Sequence, residues 1–279
     1  MGAYYPTKNI QDSPSAQVAN EVLKAKGLYK TPIKEFTNED ILSLIKNFAY
    51  ATELSIKAGY NGVEIHGANN YLIQQFYSPF YNRRTDEWGG SDEKRMNFPI
   101  KVIEACCEVR EKYKKPEFII GYRLSPEEPF NPGLTMDETL KLIKVLVTKP
   151  IQYIHISQWN FFKAARRGEG AGEERLKIIH KETKGKVALI GCGGLRSEND
   201  LNKALDTGFC EFIAVGGASM VNKNLGILLK ENKGNLLELE IDPEHREKYD
   251  MPDNLWNLSI QGIDYYPPVK GKSTKRLDV

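Results

Sequence analysis

The feature that most constrains the fold is a repeat of form rather than of sequence. A short apolar strand, a loop carrying polar residues and an amphipathic helix follow one another five times between positions 62 and 231. The strands are expected at 62–66, 118–124, 153–157, 187–191 and 212–216, and the helices at 97–112, 136–147, 173–184, 198–207 and 224–231. These strands are short, nearly continuous apolar runs, which suits a parallel sheet covered on both faces. Repeated βα units mean an α/β fold, either a doubly wound open sheet or a (β/α)8 barrel of the TIM type. Both architectures place the ligand at the carboxyl ends of the strands. The distinctive polar and glycine residues fall there: His66, Arg123, Gln158 with Trp159, Gly193 with Gly194, and Gly216 with Gly217.

Ahead of the first unit, Thr37 is a good helix N-cap with Asp40 three residues on, and Ile41, Leu44, Ile45, Phe48, Thr52 and Ile56 follow at helical spacing until Gly59. Pro99 is tolerated only in the first turn of a helix, so the helix that contains it is expected to begin near Asn97. Residues 1–36 read as an irregular lead-in, 37–240 as a partial barrel domain, and 241–279 as a Pro-rich, polar C-terminal extension.

Composition narrows the ligand class. Thirty-nine Lys and Arg against 37 Asp and Glu leave a formal net charge of +2, so no global field marks a nucleic-acid or membrane-surface binder, and a small-molecule substrate is expected. No apolar run approaches the roughly 20 residues of a membrane span. The opening residues have neither a secretory pattern nor the Ser or Thr that a myristoylated Gly2 needs at position 6. Cys106, Cys107, Cys192 and Cys210 contain no C-x-x-C pair, which argues against a thiolate metal site or an iron–sulfur cluster and fits a reducing cytoplasm. Cys106 and Cys107 read as buried structural thiols.

The densest chemistry lies between Gly59 and Gly90. A His at a strand end and an Asn three residues later, His66 and Asn69, can aim two hydrogen-bond donors at one oxygen and so polarise a carbonyl, with Tyr71 near enough to donate a proton. The plainer reading makes His66 a structural His and Tyr71 a core aromatic. Arg123 closes an apolar strand and must meet an anion or electron-rich acceptor, in a ligand or in a structural ion pair. The two diglycine turns, Gly193-Gly194 and Gly216-Gly217, each follow a strand and precede a helix, where backbone N–H groups can hold a phosphate. Glycines also serve tight βα turns for purely local reasons. Trp159, Phe161 and Phe162 suit either a pocket wall or loop packing, Arg166 and Arg167 either a phosphate or water, and Arg83 to Glu87 a scaffolding loop held by its own ion pairs. Glu64 and His66 share a strand face, but no second His or carboxylate recurs at metal-ligand spacing.

Together, Val63-Glu64-Ile65-His66-Gly67-Ala68-Asn69-Asn70-Tyr71-Leu72, Phe76-Tyr77-Ser78-Pro79, Asn82-Arg83-Arg84-Thr85-Asp86-Glu87-Trp88-Gly89-Gly90-Ser91 with Arg95, and Arg123-Leu124-Ser125-Pro126 resemble the signature of the old yellow enzyme family. Its members are FMN-dependent NADH or NADPH oxidoreductases on (β/α)8 barrels, and the resemblance runs from Ser13 to about Glu231. It implies that His66 and Asn69 bind the substrate's carbonyl oxygen; Trp159, from its place after a strand end, is a further expected substrate contact. Tyr71 would protonate the α carbon of an activated C=C, Arg123 would sit by the flavin, and Gly193, Gly194, Gly216 and Gly217 would hold the FMN phosphate. Where the family usually has a phosphate-pairing Arg this chain has Gly217, so either FMN is held more weakly or Lys223 or Arg196 substitutes. Only five of eight barrel strands can be counted, which leaves open edges. The expectation is an incomplete barrel: a chain whose N-terminal strands lie elsewhere, a homo-oligomer or partner chain that supplies them, or a truncated, catalytically silent product.

Overall fold

The structure is a computed structural model that describes residues 12–15, 34–263 and 265–273. Most of the lead-in expected over 1–36, and the end of the basic tip at 270–276, lie outside those residues. Two compact units emerge, the first comprising 1–158 and 162–190, the second 159–161 and 191–279.

In the first unit a short parallel pair, β1 (Asp12–Ser13) and β2 (Lys34–Glu35), precedes helix α1 (Asn38–Lys57). The Thr37 hydroxyl accepts from Asp40 N while the Asp40 carboxylate accepts from Thr37 N, so the expected capping box satisfies two donors at the helix start. Strands β3 (Gly62–Gly67), β4 (Ile119–Leu124), β5 (Tyr153–Ile156) and β6 (Ala188–Cys192) then alternate with α2 (Leu72–Tyr77), α3 (Asp92–Lys112), α4 (Met136–Leu146) and α5 (Arg175–Thr183). With β7 (Phe212–Ala214), which belongs to the second unit, five strands of this βα run are found among the described residues, the number counted in the sequence for an incomplete α/β barrel.

Register gives the sheet two unlike faces. Ile65, Tyr122, Ile154 and Leu189 are paired across four parallel strands, and all four are buried. On the other face Glu64, Gly121, Tyr153 and Ala188 form one row, and His66, Arg123, His155 and Ile190 the next. This corrects the expectation of strands apolar on both faces: the period-2 alternation of β3 and β4 sets charged groups side by side on one of them. Gly121 is required there, since a methyl at its position would run into the Tyr153 ring.

Helix α3 starts five residues earlier than expected, at Asp92, with Ser91 capping Lys94 N and Pro99 inside the helix. The loss of a helical N–H at Pro99 is offset by what anchors the first turns. Arg95 donates to Tyr77 O at 3.0 Å and Gly90 O at 3.3 Å, and Phe98, fully buried, stacks on Phe76 with centroids 4.0 Å apart. Burying such a ring stabilises by roughly 2–3 kcal/mol, comparable to the cost of an interior proline.

The second unit carries α6 (Glu198–Asp206), β7, α7 (Gly217–Val221), α8 (Leu225–Lys230) and α9 (Asp253–Ser259). Its core joins Val221 to Ile241, Tyr249, Met251, Trp256 and Val269, with Ile241 and Val269 bridged through the backbone. No helix among the described residues is long and apolar enough to cross a membrane.

Candidate active site

Within the first unit, the turn after β3 brings His66, Asn69 and Tyr71 together. Asn69 and Asn70 both adopt φ of +59°, in the left-handed region that asparagine tolerates better than most side chains. The Gln74 amide pairs with Asn70 through both its groups, at 2.9 and 3.0 Å, and Gln75 Nε2 donates to Asn70 O at 2.6 Å, which locks the turn. Gly67 ends the strand because a methyl there would collide with the Tyr122 hydroxyl. Helix α2, which starts just after Tyr71, was not legible in a stretch that reads as a polar loop.

The half-buried His66 accepts from Ala68 N at its Nδ1, 3.4 Å away, which leaves Nε2 as the ring's N–H. Burial, then the neighbouring Arg123 charge, holds its pKa below the usual imidazole value, so the ring is a neutral donor at pH 7. The Tyr71 ring stands edge-on to His66 with centroids 5.2 Å apart. Asn69 is exposed, and its Oδ1 accepts from Ser157 Oγ at 2.8 Å and Ser125 Oγ at 3.4 Å. The arrangement offers an imidazole N–H, a carboxamide and a phenol around one strand end.

Below them, Arg123 Nη2 donates to Ser157 Oγ at 3.0 Å, while the buried Nε has no hydrogen-bond partner among the described residues. Glu64 Oε2 lies 2.9 Å from His155 Nδ1. Burial opposes ionisation of Glu64, but the His155, Tyr153 and Arg123 contacts outweigh it and hold its carboxyl below the usual range. Burial and the Glu64 charge push the Tyr153 phenol up to about 12. His155, Ser125 and Ser157 were missed in the sequence because nothing in its spacing joins them to positions up to 91 residues away. Among the described residues no three His, Cys, Asp or Glu side chains are grouped as a metal ion would need.

The loop after β5 is fixed inside the first unit by Glu127, whose fully buried carboxylate accepts from Arg166 N and Arg167 N at 3.0 Å and from Arg175 Nε at 2.6 Å. The Arg83–Glu87 loop is likewise tied to its surroundings. The largely buried Arg84 side chain pairs with Asp86 and Glu35 and donates to Phe36 O at 2.7 Å, and Arg83 N donates to Ser15 Oγ.

In the second unit, Gly193 and Gly194 take φ of +128° and +68°, positions that favour glycine, and Gly193 O accepts from Phe161 N at 2.9 Å. Gly216 precedes α7, and Gly217 is that helix's first residue. A methyl at Gly216 would meet nothing within 4 Å, and one at Gly217 only Pro267 Cγ at 3.8 Å. Lys223 is paired with Asp250 at 2.7 Å, whereas the Arg196 guanidinium has no ion pair among the described residues. Trp159 is exposed and meets the Tyr265 ring edge-on at 6.2 Å.

Comparison with known proteins places the chain. The family model described as NADH:flavin oxidoreductase / NADH oxidase family matches residues 3–235. The probable NADH-dependent flavin oxidoreductase YqiG of Bacillus subtilis is 40% identical over 234 residues, covering 84% of this chain and 63% of that protein. The NADH:acrylate oxidoreductase of Vibrio harveyi is 40% identical over 195 residues, 69% of this chain and 19% of that one. A solved structure of morphinone reductase in complex with tetrahydroNAD superposes with a TM-score of 0.60 at 27% identity, covering 80% of this chain and 58% of that one. The chain therefore spans less than two thirds of the length of these relatives. With the family model matched over most of its length, the chain belongs to the NADH:flavin oxidoreductase / NADH oxidase family, the old yellow enzyme family that its motifs resemble.

Proposed function

We propose that this chain carries the substrate-binding and proton-donating residues of an FMN-dependent oxidoreductase that uses NADH or NADPH to reduce an activated, enone-like C=C in a small molecule. The observation that carries this reading is the donor set at the end of β3: a neutral His66 whose free N–H is Nε2, the Asn69 carboxamide, and the Tyr71 phenol packed on the imidazole. FMN, when bound, supplies hydride taken from the nicotinamide. Hydride addition at the β carbon leaves an enolate oxygen, whose charge the His66 and Asn69 donors stabilise. Tyr71 then gives its phenolic proton to the α carbon. The name of the Vibrio relative, an acrylate oxidoreductase, supports an α,β-unsaturated carbonyl as the substrate class.

The chain's residues fit FMN in two places. The unpartnered Arg123 Nε in the first unit suits an electron-rich ring edge, and the glycine turns at 193–194 and 216–217 suit a phosphate held by backbone N–H groups. Arg196, free of ion pairs among the described residues, is the better substitute for the cation that Gly217 does not provide, because Lys223 is engaged by Asp250. Trp159 is assigned to the substrate side as an exposed aromatic.

In the FMN-loaded protein, Tyr71→Phe is expected to slow substrate reduction by roughly 100-fold or more while leaving flavin reduction by NADH nearly as fast. Stopped-flow absorbance separates the two half-reactions, and equal loss in both would remove Tyr71 from the proton-donor role. A second reading, a catalytically silent barrel module or one completed by another copy or chain, draws support from the five strands of the βα run among the described residues. A chain that takes up no FMN alone, and does so only with a partner, would favour it.

A further inference from the structure

We infer that Ser157, at the carboxyl end of β5, is a positioning residue that sets the orientation of the Asn69 carboxamide, so that its N–H2 rather than its oxygen faces the substrate. The inference rests on the reading of His66 and Asn69 as a carbonyl clamp. Its basis is a one-way chain of hydrogen bonds. A guanidinium can only donate. Arg123 Nη2 donates to Ser157 Oγ at 3.0 Å, and Ser157 Oγ, its own proton still to place, lies 2.8 Å from Asn69 Oδ1. Ser125 repeats the logic from the other side: its Oγ accepts from Asn69 N at 2.9 Å and lies 3.4 Å from the same Oδ1.

Two hydroxyls, each already holding a donated hydrogen bond, therefore have their protons to give, and Asn69 Oδ1 receives them. The amide nitrogen is left for the exposed side, and no described residue takes a hydrogen bond from it. A flipped amide would turn Nδ2 onto Ser157 and leave the serine proton without an acceptor. It would also point Oδ1 at the carbonyl oxygen of a substrate, where two acceptors repel. Ser157 also links the clamp to the flavin-side Arg123, so loss of its hydroxyl frees an Arg123 donor as well. Its backbone is fixed independently, since Ser157 N donates to Leu124 O at 2.7 Å. The side chain can therefore be altered without releasing the strand end.

The test uses the full chain, labelled with 15N at asparagine side chains, and 4-hydroxybenzaldehyde as a probe whose phenolate oxygen stands in for the enolate oxygen at the His66 and Asn69 donors. The Asn69 amide resonance is identified by its disappearance in Asn69→Ala, and phenol affinity is measured by calorimetry. Ser157→Ala is expected to shift the Asn69 amide resonance and to weaken phenol binding roughly tenfold, the value of one charge-assisted hydrogen bond. Ser157→Thr, which keeps the hydroxyl, restores both. Ser157→Cys, a weak donor of similar volume, should weaken binding in the same direction if the alanine variant does not fold. The double variant Asn69→Ala/Ser157→Ala should lose no more affinity than Asn69→Ala alone. An Asn69 resonance unmoved by Ser157→Ala, or by Ser157→Cys in its place, overturns the inference. If Asn69→Ala leaves phenol affinity intact, the clamp reading fails instead, and the amide resonance still decides what Ser157 does.

Discussion

The strand-end turn of the first unit and the Gly216–Gly217 turn of the second are held in opposite ways. Around His66 and Asn69 every unusual feature has an internal cause: Gly67 is demanded by the Tyr122 hydroxyl, the left-handed Asn70 by Gln74 and Gln75, and the amide of Asn69 by two serines. Around Gly216 the chain supplies no such cause, for a methyl there would touch nothing. A glycine that its own protein does not require is a candidate for a close approach by something else. A preorganised donor set and an open glycine turn are the two kinds of surface that a carbonyl oxygen and a phosphate, respectively, select.

Removing the wiring of the first unit should have the largest effect. Glu127→Ala would leave the buried Arg175 and the N–H groups of Arg166 and Arg167 without their shared acceptor. We expect a loss of about 3–5 kcal/mol in urea unfolding. A loss of under about 1 kcal/mol would show that the loop after β5 is held by other contacts. Gly67→Ala comes next, at roughly 1–3 kcal/mol for the overpacking against Tyr122. Gly216→Ala is expected to fall within about 0.5 kcal/mol of the parent in the same assay, yet to weaken FMN uptake roughly tenfold if a phosphate approaches the backbone there. Equal destabilisation by the two alanines would erase the distinction between the turns.

The sequence disclosed the parts of this molecule that depend on neighbours in the chain. The Thr37 capping box and the strand beginning at Gly62 are written in residues a few positions apart, and so is the grouping of His66, Asn69 and Tyr71. What stayed hidden depends on register. Ser157 reaches Asn69 from 88 positions away and His155 reaches Glu64 from 91, and a Ser or His inside an apolar run carries no mark of the strand it will face. Pro99 misled for a local reason, because an interior proline is tolerated only where tertiary contacts offset it, as Arg95 and Phe98 do here. The period-2 face of the sheet was legible in principle in Glu64 and His66, but the apolar residues between them dominate the pattern.

The smallest expected effect tests whether the His66 imidazole is held neutral as the clamp needs. Its folded-state pKa is lowered from 6.5, so below that value the unfolded chain binds a proton that the folded chain resists. Stability then falls as pH drops from about 6.5 through the folded pKa, and the contribution is fully present only above about 6.5. Replacing His66 with Asn removes the titrating group, so the melting temperature of His66→Asn should decline less steeply with acidification than that of the parent over this window. A steeper decline in the variant would mean that His66 is protonated in the fold, with Arg123 failing to suppress it. The ring would then carry N–H groups at both nitrogens, and Ala68 N would lose its acceptor. The strand-end turn would no longer be fixed wholly from within, and the contrast with the open Gly216–Gly217 turn would narrow at the residue on which it most depends.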